Sequence, residues 1–274
     1  MGQSRIGQYV WSKASAILFA CLVLLLPACA GTFGGNNAHE SAEINTRLGM
    51  GYLQQGRIDD AIDKLKKALD ADWDFAEAHS TIALAYVQTG QFDLAEKHYL
   101  KAIDLKPDDG AGYNNYGVFL CQHDRLQEAD AYFMKAIQTP RYHTPERAYE
   151  NAGACARRIP DLDKAENYLR QALSRDPKLP TALYEMAEIS FAQKHLMSTR
   201  AYLQRFEEVS RHSPQSLWLG VRAERELGDK AAAAHYAKLL QTQYPDSMQF
   251  KWLLESETST QGSMAQGTTG DPQK

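Results

Sequence analysis

Residues 78–107 read AHSTIALAYVQTGQFDLAEKHYLKAIDLKP, and the spacing inside this stretch decides the fold. Small residues stand at Ala83 and Ala95, and large ones at Tyr86 and Tyr99. Gly90 lies between the two halves and Pro107 closes the stretch. Apolar residues recur three and four apart on both sides of Gly90, which is the period of two amphipathic helices. The same pattern stands 34 residues earlier as Leu48-Gly49, Tyr52, Ala61, Leu65 and Ala68. It returns as Tyr116-Gly117, Leu120, Ala129, Phe133 and Ala136. After a two-residue insertion near Thr144-Pro145 it continues as Ala152-Gly153, Ala156, Ala165, Leu169, Ala172 and Pro177. Two weaker copies follow, one around Met186-Ala187 and Leu203, the other around Ala233, Ala237, Leu240 and Pro245.

A 34-residue helix-turn-helix period is the spacing of the tetratricopeptide repeat. The residue types fit it physically. Gly49, Ala83 and Gly117, with Ala61, Ala95 and Ala129, sit where the paired helices approach closely. Tyr52, Tyr86 and Leu120, with Leu65, Tyr99 and Phe133, fill the space between them. Gly56 and Gly90 suit the left-handed residue after a helix. Pro107, Pro177 and Pro245 stop the second helices. Each pair buries its apolar face only against its neighbours, so several copies are needed. The expected fold is all-α, a right-handed tetratricopeptide-repeat superhelix of about six repeats. Met248, Phe250, Leu253 and Leu254 predict a short final helix closing it, with Trp252 at its margin.

Residues 1–28 read as a lipoprotein signal peptide, excluded from the fold. Arg5 and Lys13 precede an apolar run from Ala14 to Leu26 that is short for a bilayer span. Leu26-Pro27-Ala28-Cys29 resembles a bacterial lipidation site, with Cys29 as the lipidated first mature residue. Cys21 is rejected for this role, because six of the next eight residues are apolar. The other readings are an ordinary cleaved signal and an uncleaved anchor. Ala30, not Asp, follows Cys29, which by resemblance to other lipoproteins favours the outer membrane. Residues 29–40 are glycine- and asparagine-rich and read as a flexible tether. Residues 41–254 form the repeat domain. Residues 255–274, rich in Ser, Thr, Gln and Gly and without aromatics, read as a disordered tail. Without the leader's two cations the chain holds 28 Lys+Arg against 34 Asp+Glu, a net charge of −6. That balance gives no basic footprint for nucleic acid.

In such repeats, the second, fifth, ninth and twelfth residues typically face a groove that receives a partner segment. Here they are Glu43, Thr46, Met50 and Leu53; Glu77, Ser80, Leu84 and Val87; Ala111, Asn114, Val118 and Cys121. Met50, Leu53, Leu84 and Val87 either seat a partner's apolar side chains or pack on one another. Asn114 and Asn115 either hold a partner's backbone or bridge adjacent helices. Asn115, Arg147 and Asn151 make a fragment of a carboxylate clamp that Ser80 and Leu84 leave incomplete. Cys121 and Cys155 lie on consecutive first helices. An oxidising periplasm permits a disulfide, and the alternatives are a bridge or two buried thiols. Cys121-Gln122-His123 has no second half, so no metal site is expected. Asp59-Asp60 and Asp108-Asp109 suit helix starts. With no phosphate loop or nucleophile elbow, no enzyme, cofactor or small-molecule substrate is expected.

Three segments carry a closer resemblance. They are Asn114-Asn115-Tyr116-Gly117-Val118-Phe119-Leu120-Cys121, Asn151-Ala152-Gly153-Ala154-Cys155 and Ser216-Leu217-Trp218-Leu219-Gly220-Val221-Arg222. With the leader, they resemble the type IV pilus biogenesis and stability lipoprotein family, the PilF/PilW pilotins, over roughly residues 40–254. The resemblance implies a lipid-anchored protein on the periplasmic face of the outer membrane. It also implies that the protein binds pilus secretin subunits and promotes their localisation and multimerisation, for pilus assembly and twitching motility. Ser190 and Glu224 stand where large apolar residues belong, which weakens the last two repeats. The competing expectation is a lipoprotein adaptor of the same plan, serving cell-wall hydrolases or outer-membrane barrel assembly.

Overall fold

The computed structural model describes residues 33–158 and 162–266, and among them are thirteen helices and no strand. They pair as six helical hairpins followed by one helix. The first pair is α1 (Phe33–Gln54) and α2 (Ile58–Ala71), and the second is α3 (Ala76–Gln88) and α4 (Phe92–Leu105). These two pairs make one compact unit, which ends at Leu105. From Lys106 onward a second unit holds α5 (Gly110–Gln122) with α6 (Leu126–Gln138), and α7 (Pro145–Ala156) with α8 (Leu162–Arg175). It continues with α9 (Pro180–Ala192) and α10 (Leu196–Val209), α11 (Pro214–Leu227) and α12 (Lys230–Gln243), and finally α13 (Met248–Gln266).

Each hairpin closes on the small–large pairing seen in the sequence. Second helices bury one stripe, such as Ala61, Leu65, Ala68 and Leu69 on α2, or Ala165, Leu169 and Ala172 on α8. Fully burying a leucine contributes about 1.5–3 kcal/mol, so Leu65, Leu169 and Leu203 anchor their hairpins. The close approach is tight at Gly117, where an added Cβ would stand 2.8 Å from the Phe133 ring. The sixth hairpin departs from its sequence reading in register. Gly220 faces Tyr236 at 2.7 Å, so Tyr236 fills the place assigned to Ala237, which is only partly buried. Gly220 comes 33 residues after Ala187, and this one-residue shortening moves the partner by one.

Local signals set the helix limits. α4, α8 and α12 each stop two residues before Pro107, Pro177 or Pro245, because the residue before a proline is pushed out of helical geometry. Asp109 caps α5 by accepting from the Ala111 N–H at 2.9 Å. Asp59 and Asp60 lie in the first turn of α2, where the helix dipole favours them. Ser213 and Ser216 form a capping box at α11. No helix among the described residues is long and apolar enough to cross a membrane.

Two boundaries correct the sequence reading. The tether expected over 29–40 is helical from Phe33 onward, since α1 carries its turn ladder back beyond the packed part. The tail expected to be disordered from 255 is helical to Gln266. It is tied at its start, where Arg225 donates to Ser256 Oγ at 2.8 Å and pairs with Glu257 at 3.5 Å. The closing helix is therefore longer than expected. Leu253 is buried against Leu217, Val221, Tyr236 and Leu240, with Phe250 beside it. Met248, Trp252 and Leu254 remain exposed. The leader, Cys29 and residues 267–274 lie outside the described residues.

Candidate functional site

In the first unit, α1 carries Met50 and Leu53, and α3 carries Leu84 and Val87. Met50 is 38% exposed, and Leu53, Leu84 and Val87 are each half-buried. They are thus neither sealed in the core nor loose on the surface. At the N-terminal end of the same helices, a cavity of about 300 Å³ is lined by His39, Glu43, Thr46, Arg47, Phe75 and Glu77. Thr46 is buried there and its Oγ1 has no hydrogen-bond partner. Three of the predicted groove residues, Glu43, Thr46 and Glu77, therefore share one hollow.

A histidine pair joins α3 to α4 in this unit. His79 is buried, its Nε2 lies 2.8 Å from the Trp73 carbonyl, and its Nδ1 lies 2.7 Å from His98 Nδ1. A carbonyl can only accept, so His79 donates from Nε2. Its Nδ1 must then accept from the N–H of His98. Both rings are neutral in this arrangement. Burial holds both below the ordinary histidine range, His98 at about 4. By these two contacts the pair braces α4 against α3 and the turn at Trp73.

The second unit sets the first helices α5, α7, α9 and α11 side by side, and each junction uses a different chemistry. Between α5 and α7, Asn151 Nδ2 donates to Asn114 Oδ1 at 2.9 Å. A disulfide joins Cys121 to Cys155 with Cα atoms 5.9 Å apart. Arg158 donates to the Cys121 carbonyl and pairs with Asp124 at 2.5 Å. A small hollow of about 220 Å³ opens over the disulfide between Val118, Gln122 and Ala154, with Phe133 in its wall.

These contacts decide two sequence alternatives. Asn114 is buried and spent on a helix-to-helix bridge, which removes it from the set of partner-binding residues. Asn151, a member of the expected clamp fragment with Asn115 and Arg147, commits one amide N–H to the same bond. Asn115 stays half-buried on α5.

Between α7 and α9, Arg157 pairs with Glu185, and Glu150 accepts from the Ala182 N–H at 3.0 Å. Burial raises both carboxyls above the usual range. Arg157 pulls Glu185 back down, and the Ala182 N–H does the same for Glu150. Between α9 and α11, the Arg222 guanidinium carbon lies 4.6 Å from the Phe191 ring centre and 6.0 Å from that of Trp218. Sequence reasoning missed the Arg157–Glu185 pair and this cluster. Trp218 and Arg222 lay in a segment singled out only for its resemblance. Ser190 and Glu224 prove compatible with burial: Ser190 is small, and Glu224 is held by Arg200 from α10.

Residues 46–110 and 80–143 match one model of the tetratricopeptide repeat family, and residues 146–179 match a second. The type IV pilus assembly protein PilF of Pseudomonas aeruginosa is 29% identical over 212 residues, which is 77% of this chain and 84% of PilF. The solved structure of Pseudomonas aeruginosa PilF superposes with a TM-score of 0.73 at 28% identity. The match covers 80% of this chain and 99% of that one. The crystal structure of PilW, described as a widely conserved type IV pilus biogenesis factor, superposes with a TM-score of 0.72 at 31% identity. It covers 78% of this chain and 98% of PilW.

Proposed function

The chain belongs to the tetratricopeptide-repeat family of type IV pilus biogenesis proteins, and from that premise we propose that it is the pilotin of its pilus system. In this reading it binds secretin subunits, escorts them to the outer membrane and promotes their multimerisation. Cys29 carries the lipid and becomes the first mature residue. The observation that carries the reading is the similarity to PilW across 98% of that chain, joined to a lipobox-like leader ahead of the repeats.

The physical mechanism is tethering, with no bond made or broken in the partner. Two or more lipid chains hold the protein at the membrane. A partner segment seated on the first-helix faces is then confined to the membrane plane, which raises its effective concentration for assembly. Met50, Leu53, Leu84 and Val87, all in the first unit, offer half-exposed apolar contacts for its side chains. The test is Cys29→Ala in cells. The expected result is a folded protein that still binds secretin but leaves it out of the outer-membrane fraction. Secretin multimers present there at wild-type level would overturn the tethering step.

A further inference from the structure

In the second to fifth repeats, the residue two places after the small one of the first helix belongs to the core. It is Ala85, Phe119, Cys155 and Ile189 in the second to fifth repeats, and all four are buried. The sixth repeat puts Arg222 there, two places after Gly220. A guanidinium partly withdrawn from water needs acceptors to replace it. Arg222 has aromatic faces instead, from Phe191 and Trp218. Its Nε is buried and has no hydrogen-bond partner.

The carboxylates on the same two helices are already engaged. On α9, Glu185 pairs with Arg157, and Glu188 accepts from the Tyr184 hydroxyl at 2.7 Å. On α11, Glu224 pairs with Arg200, and Glu226 pairs with Lys194 at 2.9 Å. Lys194 also stands over Phe191, at 5.3 Å, but Glu226 neutralises it. Arg222 is therefore a cation held in place by rings and left without an anion among the described residues.

We propose that Arg222, flanked by Phe191 and Trp218, is a binding site for a peptide carboxylate. The planar fork of arginine fits a carboxylate with two parallel N–H donors. The rings fix the plane of that fork and offer apolar surface to the ligand's adjoining side chain. The carboxylate belongs either to a chain terminus or to an aspartate or glutamate. The site does not depend on which protein supplies it, so it stands or falls separately from the secretin reading.

The test uses the full chain in detergent, with the arginine side chains labelled with nitrogen-15. The Arg222 Nε–H signal is identified by its loss in Arg222→Lys. Three acetylated tetrapeptides of alanine and leucine are titrated. One has a free carboxyl end, one is its amide, and one is the amide with an alanine replaced by aspartate. The expected result is a saturable shift of the Arg222 signal with one or both acidic peptides and none with the neutral amide. A response to the free end alone assigns a chain terminus, and a response to the aspartate peptide alone assigns a side chain. No shift with either acidic peptide, or an equal shift with the neutral amide, overturns the proposal.

Discussion

Gly117 and Phe133 show how little room a hairpin leaves. A side chain at Gly117 must displace a ring that is fully buried. Overpacking of this kind costs about 1–3 kcal/mol, so Gly117→Leu should lower the urea midpoint accordingly. Cys121 and Cys155 close a loop of 34 residues. By loop-closure entropy the bridge contributes about 3–4 kcal/mol. Replacing both cysteines with serine should shift the denaturant midpoint down, and reductant should then leave the variant unchanged while it lowers the wild type. His98 makes a third residue-scale prediction. Its folded value of about 4 lies below the ordinary 6.5, so the unfolded chain takes up protons that the folded chain refuses. Stability is then lost as pH falls from about 6.5 toward about 4. The difference between wild type and His98→Gln, followed by denaturation at pH 7 and pH 5, should narrow as acid is added. A constant difference would contradict the brace. At this scale the small–large pairs were legible because they touch within one repeat. The Asn114–Asn151 bond was not decided, since one amide serves a partner or a neighbouring helix with the same chemistry.

At the scale of the element, the hairpin turns hold one conformation through several residue types. Gly56, Gly90 and Gly228 have φ of 72°, 72° and 79°, and Asp124 and Lys194 take the same place at 60° and 63°. Side-chain-bearing residues occupy this region at a cost of about 1–2 kcal/mol. Gly90→Ala should therefore lower stability by about that amount, measured by thermal or urea unfolding, without changing helix content. The glycines announced two of these turns. Asp124 and Lys194 gave no such signal, because their backbone is imposed by the helices on either side. Helix interiors and proline stops were legible because both are local. The extents of α1 and α13 were not, since composition alone misses ties such as Arg225 to Ser256 and Glu257. The register of the sixth hairpin was lost for a related reason: a one-residue shortening leaves the composition unchanged and only the packing of Gly220 on Tyr236 reveals it.

For the whole molecule, repeats that expose first-helix faces make a binding scaffold, and in the proposed function the half-exposed residues of α1 and α3 receive the partner. Met50 is exposed enough to change without disturbing the core. Met50→Glu should weaken the binding of purified secretin subunits by tenfold or more, about 1.4 kcal/mol, with the unfolding midpoint unmoved. The role in assembly is read out by the amount of multimeric secretin in outer-membrane fractions from cells lacking this chain. The multimer should fall to a small fraction of wild type and return when the gene is restored. Wild-type quantities of outer-membrane multimer in the deletion strain would contradict it.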